Sequence, residues 1–164
     1  MIRRPMDKSV LCAVIVRQLE AAVNSASAAA DQARATATDK QNIAENKYDT
    51  LGLEAAYLAH GQSERVVQLA KAMTDFRELQ KAIQPHDQIQ IGSLVCLEDD
   101  AGSTRHVLIG PSAGGHAVAF EGINITVITA SSPLGQSLLT LSKNDEVVTE
   151  IAGKKISYLI SDLW

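Results

Sequence analysis

The residues best suited to chemistry in this chain are oxygen-bearing side chains between positions 42 and 49. They are Asn42, Glu45, Asn46 and Asp49. Glu45 and Asp49 are four residues apart, which places them one turn apart if the segment is helical. Carboxylate and amide oxygens are ligands that Mg²⁺ accepts, often with part of its shell supplied by another molecule. The same residues also fit an ordinary solvated turn with helix caps, and the pattern alone leaves both readings open.

Two apolar repeats flank this segment. The first comprises Cys12, Ile15, Leu19, Ala22, Ala26, Ala29, Ala33 and Thr36, and the second comprises Val66, Leu69, Met73, Phe76 and Ile83. A stripe that recurs every 3.5 residues is typical of two helices packed side by side. Antiparallel pairing sets Ala22 against Met73 and Ala29 against Val66, so that small residues oppose large ones. The sequence therefore predicts an antiparallel coiled-coil hairpin over residues 1–84, with its tip at 42–52 and with Leu19, Leu69 and Phe76 buried between the two arms.

Local signals mark where the two helices begin and end. Asp7 and Ser9 are both candidate caps for the first helix. Thr50 with Glu54 resembles a displaced capping box, which starts the second helix near Asp49 or Thr50. Pro85 forbids the helix from continuing, so we expect a domain boundary at 84–88.

After this boundary the periodicity changes to that of strands, and residues 85–164 are predicted to form a second domain. Predicted strands cover 89–91 with 93–97, 104–109, 123–129, 146–151 and 155–160. A short helix is expected over 134–141, with Ser132 as its cap and Pro133 in its first turn. About five antiparallel strands and one short helix on a face make an α+β domain.

Composition excludes several classes of function. The net charge of −4 and the pI near 5.5 argue against a general nucleic-acid coat. No stretch approaches the roughly 20 apolar residues needed to span a bilayer, and the first residues lack the apolar core of a signal peptide. Cys12 and Cys96 have no metal-binding or redox spacing, which predicts reduced thiols in the cytoplasm. The glycine-containing segment 110–115 lacks the Lys-Ser/Thr of a phosphate loop and is interpreted as a connection.

The order of these parts resembles the bacterial transcription elongation factors GreA and GreB. The resemblance rests on the tip residues Glu45, Asn46 and Tyr48 and on a run of C-terminal motifs. These motifs are Ser132-Pro133-Leu134-Gly135, Leu138-Leu139, Lys143-Asn144-Asp145-Glu146-Val147 and Ala152-Gly153-Lys154. It implies an FKBP-like fold for the C-terminal domain, behind an N-terminal coiled coil.

The resemblance also implies a mechanism. Such factors bind RNA polymerase at the rim of its secondary channel and insert the coiled coil toward the active site. There the tip carboxylates help to retain a second Mg²⁺, and the polymerase cuts backtracked RNA. By this resemblance Ser131, Ser132, Pro133 and Leu134 contact the polymerase. Glu45 and Asp49, together with Asn42, act at the shared Mg²⁺.

A factor of this kind is not an enzyme and has no cofactor of its own, since it works through the polymerase active site. It is expected to be a cytoplasmic monomer with no membrane attachment. The tip departs from the family pattern, because cleavage factors carry Asp-x-x-Glu and this chain has Asn42 in place of the Asp. Cleavage is therefore expected to be weak, and inhibitory relatives such as the anti-cleavage Gre homologues keep the same architecture with other tips.

Two further hypotheses come from different classes. An FKBP-like chaperone or peptide-binding module with a coiled-coil handle would need an aromatic-lined groove, for which Phe120, Tyr158 and Trp164 are the supply. A structural coiled coil that homodimerises is less favoured, because the apolar stripe is already satisfied within one chain.

Overall fold

A computed structural model describes residues 6–39 and 50–164 of the chain. The elements in this part are α1 (Lys8–Thr38), α2 (Leu51–Ala82), β1 (Leu94–Asp99), β2 (Thr104–Gly110), β3 (Ala117–Phe120), β4 (Ile123–Thr129), α3 (Pro133–Leu138), β5 (Glu146–Ile151) and β6 (Lys154–Leu163). Two long helices followed by a sheet with one short helix confirm the predicted α+β class. The chain groups into two compact units: an arm unit, Arg17–Met73, and a sheet unit that combines Thr74–Trp164 with the start of α1.

Both long helices begin at the caps that the sequence predicts. The carboxylate of Asp7 accepts hydrogen bonds from the backbone N–H groups of Ser9 at 2.9 Å and Val10 at 3.2 Å. At the start of α2, the Thr50 hydroxyl donates to the Glu54 carboxylate at 3.0 Å, and the Glu54 N–H donates to the Thr50 carbonyl at 2.8 Å. The Asp7 bonds satisfy backbone amides that have no partner within α1, whereas the Thr50 and Glu54 bonds close the first turn of α2.

In the arm unit the two helices share a seam built largely from alanine. Its buried residues are Leu19, Ala26, Ala30 and Ala33 on α1 and Ala55, Ala59 and Ala72 on α2. Arg34 of α1 ties the helices together by donating from Nη2 to Ser63 Oγ of α2 at 2.7 Å. The predicted register is wrong at Ala29, which is exposed while Ala30 is buried. A straight helix has 3.6 residues per turn, so over several turns its buried face drifts from a strict 3.5-residue repeat.

Helix α1 is also long and apolar enough to cross a membrane by length and composition alone. Its most apolar 18-residue window has a mean hydropathy of 1.2, which differs from the expectation that no stretch comes near this limit. The core helix of a soluble protein passes the same test, and a third of this window is buried inside the structure.

The sheet has six strands in the order β3-β4-β2-β1-β6-β5. It is mixed, because β2 and β4 pair in parallel whereas the other neighbours pair antiparallel. The prediction of about five antiparallel strands is wrong in two details: it missed one strand, β3, and it did not include the parallel pair of β2 and β4. Strand β3 has only four residues, two of them alanine, and it lies at the sheet edge outside β4. Its placement makes β4 return parallel to β2, an arrangement that local sequence does not encode.

Large aliphatic side chains fill the sheet unit. One buried cluster contains Ile89, Val95, Leu97, Val107, Ile109, Ile128, Leu134, Leu138, Val147, Tyr158 and Ile160. Phe76, at the C-terminal end of α2, is 0% exposed, and a Cβ at Gly110 of β2 would lie only 3.0 Å from its Cζ. Leu19 and Phe76 are thus both buried, but Phe76 lies against Gly110 of the sheet, and Leu69 is only half-buried.

Three element boundaries differ from the prediction by three residues or more. Residues 89–91 form no strand, since Ile89 exchanges backbone hydrogen bonds with Thr140 and Leu141 and the chain then turns at Gly92, whose φ is 94°. Helix α3 stops at Leu138, before the left-handed Thr140 with its φ of 69°. Strand β6 continues to Leu163. In each case pairing between distant segments sets the boundary.

Candidate functional site

The predicted site has two parts, the tip and the docking segment, and the structure describes only the second. Asn42, Glu45 and Asp49, the residues assigned to the tip, lie outside the described residues, so the shared Mg²⁺ site stays a prediction. Within residues 6–39 and 50–164, no three His, Cys, Asp or Glu side chains are grouped closely enough to hold a metal ion. The docking segment, Ser131 to Leu134, is described in full.

Ser132 organises the docking segment through both its side chain and its backbone. Its hydroxyl donates to the Thr129 carbonyl at 2.7 Å and accepts the Gly135 N–H at 3.1 Å. Its own N–H also donates to the Thr129 carbonyl at 3.0 Å, and its carbonyl accepts the Gln136 N–H at 2.8 Å. The predicted cap of α3 is therefore confirmed, with Pro133 in the first turn. This network fixes the path of the chain from β4 into α3.

Exposure divides the four predicted contact residues into two pairs. Ser131 and Pro133 are exposed. Ser132 is half-buried and committed to its cap bonds, and Leu134 is only 6% exposed and belongs to the core cluster. Ser131 and Pro133 can therefore touch a partner directly, whereas Ser132 and Leu134 hold them in position.

Two neighbouring residues, to which the sequence pattern assigns no role of their own, support the segment. A Cβ on Gly135 would lie 2.0 Å from the Thr129 carbonyl oxygen, so only glycine allows α3 to start this close to β4. Gln136 donates from Nε2 to the Ser131 carbonyl at 3.1 Å and steadies the exposed loop. The signal for Gln136 was its place in the first turn of a capped helix, where a long polar side chain can reach back to the loop.

The aromatic residues that a peptide groove would need are engaged elsewhere. Phe120 and Tyr158 are each 8% exposed. The Trp164 ring lies beside that of His106, with the ring centroids 6.3 Å apart. The peptide-binding hypothesis therefore loses two of its three aromatic side chains to the interior.

One serine–histidine pair has the spacing of a nucleophile and its base. The His86 Nε2 lies 2.6 Å from Ser93 Oγ, and its Nδ1 lies 2.8 Å from the Gln84 carbonyl oxygen. Ser93 is 0% exposed, however, and its Oγ accepts the Gln90 N–H at 2.8 Å. A substrate cannot reach this hydroxyl, so the pair is a structural clamp at the end of α2.

Lys8 and Cys12, one turn apart on α1, form a second cluster of ionisable groups. Burial raises the pKa of the Cys12 thiol to about 11, and the positive charge of Lys8 only partly offsets this. Burial also lowers the pKa of Lys8. Because the thiolate is the reactive form, Cys12 is inert at neutral pH.

Comparisons with known proteins point to one family. Residues 84–164 match the family model for "Transcription elongation factor, GreA/GreB, C-term". Among solved structures, the GreA factor homolog 1 (Gfh1) protein of Thermus thermophilus is 17% identical, with 91% of this chain and 94% of that chain covered and a TM-score of 0.38. Thermus aquaticus Gfh1 is 17% identical, with 90% and 92% covered and a TM-score of 0.39.

A third solved structure, the prokaryotic transcription elongation factor GreA/GreB from Nitrosomonas europaea, is 16% identical to this chain. It covers 68% of this chain and 91% of its own, with a TM-score of 0.37. No curated protein matches the chain significantly. At these TM-scores the family match rests on residues 84–164.

Proposed function

We propose that this chain, whose residues 84–164 match the GreA/GreB C-terminal family model, is a transcription elongation factor of that kind, which binds RNA polymerase through its C-terminal domain and inserts its helical arm into the secondary channel. The observation that carries this proposal is the family match over residues 84–164, the part of the chain that contains the docking segment. The factor acts in the cytoplasm through the polymerase active site and is not an enzyme itself.

The docking segment is suited to such a contact. Ser131 and Pro133 are exposed on a loop that is held by the Ser132 cap and by the bond from Gln136 to the Ser131 carbonyl. A loop fixed in this way loses little conformational freedom when a partner binds, which favours affinity.

The two long helices supply the reach. Helix α1 has 31 residues and α2 has 32, so each extends about 46–48 Å at 1.5 Å per residue. The alanine seam keeps a two-helix arm narrow, because small side chains allow close approach of the backbones.

At the tip, Glu45 and Asp49 are our candidates to share a Mg²⁺ ion with the polymerase, and Asn42 would add a neutral amide oxygen. A second Mg²⁺ ion stabilises the attacking and leaving oxygens when RNA is cleaved, and it needs ligands beyond those of the first ion. An amide holds Mg²⁺ less firmly than a carboxylate does. We therefore expect transcript cleavage that is weak and is detected mainly at high Mg²⁺ concentration.

The test is cleavage of backtracked RNA in stalled elongation complexes across a Mg²⁺ series. Asn42→Asp should increase cleavage, and Glu45→Ala should abolish it while leaving co-purification with core RNA polymerase unchanged. Glu64→Ala, which removes an exposed carboxylate further along α2, is the matched control and should behave as wild type.

The outcomes separate the parts of the proposal. Robust cleavage that survives Glu45→Ala contradicts the shared-metal role of the tip. No cleavage from wild type or from Asn42→Asp, with polymerase binding retained, identifies a regulatory factor that occupies the channel without stimulating cleavage. Absence of polymerase binding rejects the whole proposal.

A further inference from the structure

The parallel pairing of β2 with β4 places the loops that follow these two strands at the same end of the sheet. Gly110 is the register partner of Thr129, and both strands end at this pair. The β2–β3 loop, residues 111–116, and the docking segment therefore leave the sheet side by side. The approach is close, because a Cβ on Gly114 would lie 3.3 Å from Thr129 Cγ2.

Backbone hydrogen bonds give the β2–β3 loop a defined shape. The His116 N–H donates to the Ala113 carbonyl at 3.0 Å, and the Gly115 N–H donates to the Val127 carbonyl of β4 at 2.8 Å. Ala113 has a left-handed backbone with a φ of 57°. Gly114 and Gly115 are exposed, so the loop presents backbone to the solvent next to Ser131 and Pro133.

The two stretches of sequence that contain these loops also carry no charged residue. No Asp, Glu, Lys or Arg occurs between Arg105 and Glu121 or between Glu121 and Lys143, although such residues make up 21% of the chain. The centres of protein interfaces are depleted in charged residues relative to the remaining surface. An uncharged, preformed pair of loops therefore suits the centre of a protein contact, whereas a site for nucleic acid would carry Lys or Arg.

We propose that the β2–β3 loop forms the second half of the polymerase-docking surface, next to Ser131 and Pro133, and that it receives an uncharged patch of the polymerase. Because glycine has no side chain, the partner can approach the backbone at Gly114 and Gly115 closely. This inference rests on the proposed function and extends the contact from one loop to two. The sequence had suggested a plain connection here, since it does not show that β2 and β4 are parallel neighbours.

The experiment compares an acid with its uncharged isostere in the full-length chain. Asp and Asn both tolerate the left-handed backbone of Ala113 and have nearly the same shape. Ala113→Asp should weaken equilibrium binding to core RNA polymerase by at least about tenfold relative to Ala113→Asn, because it would bury an unpaired charge. The control is Ala152→Asp, which places the same charge on another left-handed alanine (φ of 51°) in the β5–β6 turn. That variant should bind as wild type.

Equal binding by Ala113→Asp and Ala113→Asn would overturn the inference, as would an equal loss caused by Ala152→Asp. Hydrogen exchange of the wild-type chain provides a measurement that needs no variant. The amides of residues 112–116 should exchange more slowly when polymerase is added, and an unchanged rate would also overturn the inference. If the wild type binds and Ser131→Asp weakens binding while Ala113→Asp does not, only the two-loop inference fails. If the wild type does not bind, the proposed function fails with it.

Discussion

The arm unit and the sheet unit bury different kinds of side chains. Alanine makes up most of the buried seam in the arm, whereas Leu, Ile and Val fill the cluster between the sheet and α3. A buried Leu, Ile or Val contributes roughly 1.5–3 kcal/mol, and alanine contributes much less because it removes less apolar area from water. The comparison indicates that burial in the sheet unit contributes most of the folding free energy, whereas the small side chains of the arm allow its two helices to pack closely. This division suits a protein in which one part docks and the other reaches.

The largest expected effect lies at Phe76, which is fully buried in the sheet unit against Gly110. Phe76→Ala should lower the free energy of unfolding by about 3–5 kcal/mol, since it removes a large buried ring and leaves a cavity. The control in the arm is Val67→Ala, at a side chain that is 68% exposed, and it should change stability by less than about 0.5 kcal/mol. Denaturant unfolding measures both. Similar losses for the two variants would break the comparison.

Glycine-to-alanine changes should have opposite signs in the two units. At Gly135 the added Cβ would meet the Thr129 carbonyl oxygen at 2.0 Å, so Gly135→Ala should destabilise the protein by about 1–3 kcal/mol or more. At Gly61, inside α2, no atom lies within 4 Å of the added Cβ. Gly61→Ala should therefore stabilise the arm by about 0.5–1 kcal/mol, because alanine favours the helix. Thermal unfolding of the two variants checks the signs, and a stabilising Gly135→Ala would show that α3 and β4 are not in close contact.

Local sequence specifies some of these structural features and not others. The caps at Asp7, Thr50 and Ser132 were predictable because each is a short-range hydrogen bond between neighbouring residues. Strand β3 and the parallel β2–β4 pair were not, since they depend on pairing between distant segments. The shift from Ala29 to Ala30 in the seam follows from helix geometry accumulated over several turns. At the site, the exposure of Ser131 and Pro133 and the burial of Leu134 required the fold.

The smallest expected effect is a pH dependence at the start of α1. Burial lowers the pKa of Lys8 in the folded chain below its ordinary value of 10.5. The unfolded chain then binds this proton more tightly than the folded chain does, so the Lys8 contribution to stability rises with pH up to about 10.5. Lys8→Met should remove this slope and raise stability at neutral pH. The check is the difference in the free energy of unfolding between wild type and Lys8→Met, followed from pH 7 to 10.5, because the Cys12 thiol is common to both proteins. A difference that does not change with pH would contradict the burial of the Lys8 amine.

The central claim, that the sheet unit docks while the arm carries the tip, is tested most directly by equilibrium binding to core RNA polymerase. The measurement compares wild type, Glu45→Ala, Ser131→Asp and the uncharged control Ser131→Asn. We predict that Glu45→Ala and Ser131→Asn bind as wild type does and that Ser131→Asp binds at least about tenfold more weakly, which corresponds to roughly 1.4 kcal/mol. Loss of binding in Glu45→Ala with full binding in Ser131→Asp would contradict the claim.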